Sequence, residues 1–303
     1  MRAGLSILIF HRVLREPDPL FPEAIDASRF DATLRWLARL FRVVSLKDGI
    51  DALYEGRLGE RSVAITFDDG YADNAQIAAP LLREHGMHAT FFVASGFLGG
   101  GRMWNDTVIE TLRRAYGDKI DLATFGLGEL DTSTPKARRA AIDQLLMTLK
   151  YLPPAQREES IARFSRSVGH SLPDDLMMRP EQLRSLADLG MDIGAHTVSH
   201  PILSRLDDVS ARDEIANGRS SLEGIMGREV RLFAYPNGKP GEDYGKNHVA
   251  MVRELGFTAA VSTAWGTARV SDDRFELPRF TPWDRNPIGF SLRLAAQRLR
   301  RSS

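Results

Sequence analysis

Three segments of the chain share one pattern of apolar and polar positions. In each, an amphipathic helix ends at a glycine and an apolar run follows: LLREHGMHATFFVAS, LRSLADLGMDIGAH and MVRELGFTAAVST. Glycine after the last helical turn is the common left-handed cap, so Gly86, Gly190 and Gly256 mark predicted helix ends. Helices that alternate with continuous apolar strands predict a parallel sheet covered by helices.

Further strands are predicted in LSILIF, FRVVSL, VAITF, RLFAYP and FELPRF. Together these runs give about eight strands, which predicts an α/β fold of the (β/α) barrel kind. An open, doubly wound sheet is the alternative.

Two helices can be placed from their starts. The helix in SRFDATLRWLARL is predicted to begin at Ser28 as its N-cap, and Pro180 is predicted in the first turn of a later helix. Helical spacing predicts these buried positions in the first of them: Phe30, Leu34, Leu37 and Leu40.

The strand pattern stops between about Gly99 and Arg179, where the chain is helical and charged. This stretch lies between two strands of the same predicted sheet. We therefore interpret residues 1–303 as a single domain, with a helical cap or insertion at about 99–179 on one end of the barrel.

The composition limits which partners and which metal ligands are possible. Forty basic residues balance forty acidic ones, so the sequence indicates no nucleic-acid partner. The chain has no cysteine, which excludes disulfides and thiolate-bound zinc. Any metal ligands must therefore be histidine and carboxylate side chains.

No stretch reaches the roughly 20 apolar residues of a membrane span. The start, MRAGLSILIFHRV, has a short apolar run without a cleavage site, so we interpret it as a first strand and expect a cytoplasmic protein. The basic end, SLRLAAQRLRRSS, predicts a solvated terminal helix, with peripheral contact to an acidic membrane as the alternative.

Asp68 and Asp69 follow the predicted strand VAITF, at the carboxyl end where such sheets form their sites. Neighbouring residues on a strand point to opposite sides, so the two acids can have different roles. Gly70 permits a sharp exit from the strand. The alternative is that one acid caps a helix and the other is solvated.

GAHTVSHP places His196 and His200 four residues apart after another predicted strand. On a helical turn this spacing puts both imidazoles on one side. Two histidines and one carboxylate form a recurrent catalytic metal site, although the histidine pair alone is also common by chance.

Two other strand ends carry candidate groups. RLFAYPNG can aim the backbone N–H of Tyr235 into the site, or it can be a simple turn. His11 lies just beyond the first strand, where a structural role is the alternative to a catalytic one.

TFDDG, HTVSH and YPNG, in this order, resemble the motifs of the polysaccharide deacetylases, the carbohydrate esterases with a NodB-type domain. The resemblance spans nearly the whole chain outside the insertion. It implies a distorted (β/α)7 barrel. It also implies Asp69, His196 and His200 as metal ligands and Asp68 as general base, with Zn²⁺ the expected ion and Co²⁺, Ni²⁺ or Fe²⁺ as alternatives. The metal and the Tyr235 backbone N–H are then expected to share the charge of the oxyanion in the tetrahedral intermediate.

The sequence departs from the common family pattern in its general acid. Many members carry a Leu-x-His motif near the C-terminus, but the single histidine after His200 is His248, which reads as a surface residue of a helix. The subgroup resembling poly-N-acetylglucosamine deacetylases takes its acid from the first strand. IFHRV matches that order, which implies His11 as the general acid.

A second departure concerns the arginine that orients the base, since Ala234 stands at its position. Arg279 in ELPRF is predicted to replace it by pairing with Asp68; a surface arginine is the alternative. Trp104, at the start of the insertion, can stack on a sugar ring or pack within a lid.

The resemblance implies a metal-dependent enzyme that removes N-acetyl groups from an amino sugar in exopolysaccharide or cell-surface glycan biosynthesis. Two alternatives remain: a metal-independent amidohydrolase or deformylase of the same fold, and a non-catalytic carbohydrate-binding pseudoenzyme. The expected partner is an N-acetylated sugar or glycan, and the sequence leaves the oligomeric state open.

Overall fold

The computed structural model describes residues 4–169 and 171–282. The chain forms two compact units. Unit 1 takes in Met1–Glu16, Ile25–Gly99 and Met178–Ser303, and unit 2 takes in Pro17–Ala24 and Gly100–Met177. Unit 2 contains most of the predicted insertion together with a short earlier segment, and the single-domain interpretation stays a prediction.

The helices and strands are as follows. The strands are β1 (Ser6–Phe10), β2 (Arg42–Val43), β3 (Ser62–Phe67), β4 (Thr90–Val93), β5 (Lys119–Asp121), β6 (Glu129–Asp131), β7 (Asp192–Ala195), β8 (Leu232–Ala234), β9 (Ala259–Trp265) and β10 (Leu277–Arg279). The helices are α1 (Ala27–Leu40), α2 (Leu46–Tyr54), α3 (Ala79–Glu84), α4 (Trp104–Arg114), α5 (Pro135–Lys150), α6 (Pro154–Val168), α7 (Pro180–Asp188), α8 (Asp208–Met226) and α9 (Lys246–Glu254).

Seven parallel strands form the barrel of unit 1, in the order β1, β3, β4, β7, β8, β9 and β10; β2 pairs with the amino end of β3. The barrel closes where Phe280 meets β1, because the Ile9 N–H donates to the Phe280 carbonyl at 3.0 Å and the Phe280 N–H to that of Ile7 at 2.7 Å. The predicted (β/α)7 barrel is therefore confirmed, and the open sheet is excluded.

An aromatic stack lies at the carboxyl ends of the first strands. The rings of Phe10 and Phe67 stack with centroids 5.3 Å apart, and Phe67 stacks on Phe91 at 4.8 Å. All three rings are buried, and burying each one contributes roughly 1.5–3 kcal/mol. Because Phe10 precedes His11 and Phe67 precedes Asp68, this packing fixes where both polar residues leave the barrel.

The three predicted glycine caps are confirmed. Gly86, Gly190 and Gly256 have φ angles of +63°, +80° and +83°, which a residue with a Cβ adopts only with strain. Each lets the chain reverse from a helix into the next strand.

Helix α1 begins two residues earlier than predicted. Its N-cap is Asp26, whose carboxylate accepts a hydrogen bond from the Arg29 N–H at 3.1 Å, so the assignment of Ser28 was wrong. Phe30, Leu34 and Leu37 are buried as predicted, but Leu40 in the last turn is 38% exposed.

Replacing Asp26 with alanine is expected to lower the free energy of unfolding by about 1 kcal/mol, because the cap bond is lost. Ser28 is exposed beyond the cap, so Ser28→Ala is the matched control and should leave stability within about 0.5 kcal/mol. Urea denaturation of both variants measures the difference. Equal effects would contradict the cap assignment.

Unit 2 consists of helices α4–α6 and the antiparallel pair β5–β6. Its helices pack around their own apolar cluster, which includes Leu112, Leu145 and Ile161. The Arg138 guanidinium fastens the unit by donating to several backbone carbonyls, among them that of Leu112 at 2.7 Å. A half-buried arginine with several backbone hydrogen bonds orders a unit whose sheet is small.

Among the described residues, no helix combines the length and the apolar character needed to cross a bilayer. The basic segment at residues 291–303, predicted as a terminal helix, lies outside the described residues.

Candidate active site

The two neighbouring acids separate because the backbone turns sharply after β3. Asp69 has a φ of +75° and Gly70 a φ of +93°. A Cβ on Gly70 would lie 2.8 Å from Cγ1 of Val93, so only glycine fits there. This turn directs Asp68 and Asp69 to different partners.

Asp69, His196 and His200 form a compact group. One ligand atom of each lies within 4.8 Å of the others, and the Oδ1 atom of Asp69 is 3.5 Å from Nε2 of His196 and 3.3 Å from Nε2 of His200. These separations are longer than good hydrogen bonds. Within the part of the chain that the structure describes, the buried Oδ1 of Asp69 has no hydrogen-bond partner, as suits an atom that ligates a cation.

A backbone carbonyl fixes the orientation of the first imidazole. Nδ1 of His196 lies 2.7 Å from the carbonyl oxygen of Ala234, which can only accept, so Nδ1 carries the proton. In the neutral ring the lone pair is then on Nε2, which faces Asp69. Outer-shell bonds of this type are typical of metal-ligating histidines.

The segment from His196 to His200 is a loop, so the two imidazoles do not come together through the spacing of a helical turn. Thr197 and His200 have φ angles of +67° and +56°, which end any helical path. The Thr197 hydroxyl accepts from the His200 N–H at 3.1 Å and thereby tightens the loop. The two rings still come together, with centroids 4.8 Å apart.

The electrostatics of this group favour a positive charge between its members. Burial alone would raise the pKa of the Asp69 carboxyl, but contact with His196 and His200 lowers it well below its usual range. Burial opposes protonation of His196, yet the Asp69 carboxylate raises its pKa. Burial lowers the pKa of His200 to about 4, so this ring is neutral and can donate its lone pair.

Asp68 is paired with Arg279, which sequence reasoning placed opposite it. The guanidinium donates to both carboxylate oxygens at 2.7 Å, and its Nε–H donates to the Ser262 carbonyl at 2.8 Å. Both side chains are almost fully buried. A bidentate pair of this geometry is among the strongest charge-assisted contacts in proteins.

This pairing keeps Asp68 ionised. Burial would raise the pKa of its carboxyl, but the adjacent Arg279 charge outweighs burial and lowers the pKa, with smaller contributions from His196 and His11. An ionised, oriented carboxylate can accept a proton.

His11 lies immediately after β1, and its side chain is exposed. A positive charge on His11 would help to lower the pKa values of the Asp68 and Asp69 carboxyls, so the ring lies within electrostatic range of both. The backbone here is fastened to the segment after the acids, because Asn74 donates to the His11 carbonyl at 2.8 Å and Arg12 donates to Asp73 at 2.7 Å.

Sequence reasoning missed Asp73 and Asn74. They follow the acid motif directly in DDGYADN, but their partners are about sixty positions earlier in the chain. The signal in the sequence was the position of these two polar residues directly after the acid motif, where their side chains can bind nearby backbone groups.

Two other assignments change. The Tyr235 N–H donates to the Val261 carbonyl at 3.2 Å, so the sheet already uses it and it is not a free donor for an oxyanion. The Tyr235 ring is also structural: its hydroxyl donates to the Phe275 carbonyl at 3.0 Å.

His248 is buried, and its Nδ1 accepts from the Gly245 N–H at 2.9 Å, so it is not the surface residue that was predicted.

Trp104 begins α4 in unit 2. Its ring lies under the guanidinium of Arg157, whose Cζ is 4.7 Å from the ring centroid. In this cation–π contact the Trp104 ring packs against a side chain of its own unit. Stacking of Trp104 on a sugar stays a prediction.

Two solved structures show the same fold. IcaB from Ammonifex degensii superposes with a TM-score of 0.62 at 21% identity, over 97% of this chain and 96% of that one. The Streptococcus pyogenes deacetylase PplD, in complex with acetate, gives a TM-score of 0.62 at 17% identity, over 93% of each chain.

Sequence comparison identifies related proteins and a family. YxkH of Bacillus subtilis (strain 168) is 21% identical over 279 residues, which cover 91% of this chain and 71% of YxkH. The family described as polysaccharide deacetylase matches residues 55–260, which include both acids and both histidines of the site. The chain belongs to the polysaccharide deacetylase family and is a carbohydrate deacetylase.

Proposed function

We propose that this protein is a divalent-metal-dependent hydrolase that removes N-acetyl groups from an amino sugar of an exopolysaccharide or cell-surface glycan. The observation that carries the proposal is the juxtaposition of the Asp69–His196–His200 group with an Asp68 carboxylate held by Arg279. PplD, which shares the fold, is described as a deacetylase in complex with acetate, the acid product of such a reaction.

Asp69, His196 and His200 would hold the cation. Two imidazoles and one carboxylate suit Zn²⁺, with Co²⁺, Ni²⁺ and Fe²⁺ as further candidates. A divalent ion, when bound, supplies a Lewis acid that polarises a carbonyl and acidifies water. Two observations support this assignment: the Oδ1 of Asp69 has no hydrogen-bond partner among the described residues, and the tautomer of His196 is fixed.

Asp68 and His11 divide the proton transfers. Asp68 accepts a proton from the water whose oxygen forms the new bond to the acetamide carbon. His11 donates a proton to the amine nitrogen as the carbon–nitrogen bond breaks, since an amide anion is a very poor leaving group. The products are acetate and the free amino sugar. The ion pair to Arg279 and the backbone anchor of His11 orient the two groups.

Removal of the metal tests the proposal. Dialysis against a chelator is expected to abolish acetate release from N-acetylhexosamines, and stoichiometric Zn²⁺ or Co²⁺ should restore it. Asp69→Ala should lower activity by more than about 100-fold, the upper range for loss of an outer-shell partner, because it removes a ligand itself. Asp188→Ala, at an exposed acid, is the control.

Acetate release is measured on a panel of free, nucleotide-linked and oligomeric N-acetylhexosamines. Full activity in metal-free protein with Asp69→Ala unaffected would contradict metal dependence and favour a metal-independent amidohydrolase or deformylase. Glycan binding without acetate release from any substrate would favour a pseudoenzyme.

A further inference from the structure

Helix α8 holds the loop that carries the two histidines. The Glu214 carboxylate accepts hydrogen bonds from the N–H groups of Val198 and Ser199, both at 2.9 Å. It also accepts from the Ser199 hydroxyl at 2.7 Å. Val198 and Ser199 lie between the two histidines, so one charged side chain fixes the middle of the loop.

The loop needs such an anchor because its backbone is strained. Two of its residues, Thr197 and His200, adopt left-handed φ angles, and Thr197 is β-branched. From the other side, the carbonyls of Thr197 and Val198 accept from the N–H groups of Ser95 and Gly96, at 3.1 and 2.9 Å. Glu214 completes this set by binding the loop N–H groups on the α8 side.

A glycine one turn further along α8 lets the helix come this close. A Cβ on Gly218 would lie 2.7 Å from the carbonyl carbon and 2.8 Å from the carbonyl oxygen of Thr197. Both obstacles are backbone atoms of the loop, so a side chain here would displace it. Glu214 and Gly218 are four residues apart and therefore share one face of α8.

We propose that Glu214 and Gly218 are positioning residues of the metal centre, which set the loop so that His196 and His200 present Nε2 to the same cation as Asp69. This inference rests on the proposed metal-dependent function. Neither residue touches the reacting atoms; both act through the loop. The apolar side chains on the buried face of α8 are those of Ala211, Ile215 and Leu222, and Gly218 lies on the same face where the helix meets the loop.

Zn²⁺ titration of the chelator-treated, full-length protein by calorimetry tests the proposal without relying on activity. Glu214→Ala is expected to raise the Kd for Zn²⁺ by about 10–100-fold, the usual cost of removing an outer-shell partner. Glu214→Gln should regain most of the affinity, since its amide oxygen can accept both N–H groups. Asp213→Ala, the adjacent exposed acid, should bind Zn²⁺ like the wild type.

A second pair of variants keeps the test decisive if Glu214→Ala does not fold. Gly218→Ala should weaken Zn²⁺ binding. Gly224→Ala on the same helix should not, because a Cβ there meets no atom of the described residues within 4 Å. The metal-free variants are also compared by thermal unfolding, so that lost affinity is separated from lost fold.

Wild-type Kd values in both Glu214→Ala and Gly218→Ala would overturn the positioning role, while the proposed function would stand. Failure of the wild-type protein to bind Zn²⁺ through Asp69 would instead overturn the proposed function and this inference with it. The Asp69→Ala titration distinguishes the two results.

Discussion

Replacing His11 with glutamine is expected to lower kcat for an N-acetylated sugar by about 10²–10⁴-fold, the usual contribution of a general acid. The departing amine must be protonated as it leaves, and glutamine cannot supply that proton. Glutamine keeps a polar side chain of similar reach at this exposed position, so stability should be unchanged. Acetate release and thermal unfolding measure the two effects.

A substrate with a better leaving group distinguishes a general-acid role of His11 from a merely structural one. An activated aryl acetate departs without protonation, so His11→Gln should hydrolyse it at nearly the wild-type rate. Asp68→Asn should lower the rate for both substrates by about 10²–10⁴-fold, because the base is needed whichever group departs. Equal losses on both substrates in His11→Gln would contradict its assignment as the acid.

Arg279→Met is expected to lower the free energy of unfolding by about 3–5 kcal/mol, because it leaves the buried Asp68 carboxylate without its counter-charge. The lost contacts are the two bonds to Asp68, the bond to the Ser262 carbonyl and the bond to the Thr66 hydroxyl. Activity should fall as well, since Asp68 would no longer be oriented or held ionised. Denaturant unfolding and acetate release measure the two effects.

The exposed ion pair between Arg212 and Glu254, at 2.8 Å, offers the matched control. Arg212→Met should cost less than about 1 kcal/mol, as exposed pairs usually do. The double variant Asp68→Asn with Arg279→Met should recover most of the stability lost in the single variant, but none of the activity. An Arg279→Met protein as stable as Arg212→Met would contradict the importance of the buried pair.

Local sequence patterns predicted most of the barrel, because helix ends and strands are determined largely by interactions between residues close together in the chain. Glycine caps and apolar strands follow from backbone freedom and burial, so strand ends could be located and the acids at 68 and 69, His11 and Arg279 assigned to one end of the sheet. The resemblance to a known family then supplied their roles, and the structure places Arg279 against Asp68.

The misassignments share a different cause, since each was decided by contacts distant in sequence. Asp26 and Ser28 are both good N-caps, and the choice between them follows from pairing of Asp26 with Leu14. The histidine loop takes its shape from Ser95, Gly96 and Glu214, which no local pattern connects to it. The Tyr235 N–H is not free for a substrate because it donates to the carbonyl of Val261 on the neighbouring strand.

Closure of the barrel by Phe280 has a consequence for biosynthesis. The counter-charge of Asp68 arrives 211 positions later in the chain, on the strand that completes the ring. While the ribosome is still making this protein, the Asp68 carboxylate has no contact with the Arg279 guanidinium. If Asp68 is the base, as proposed, we expect deacetylation to begin only after the final strand has been released and has docked.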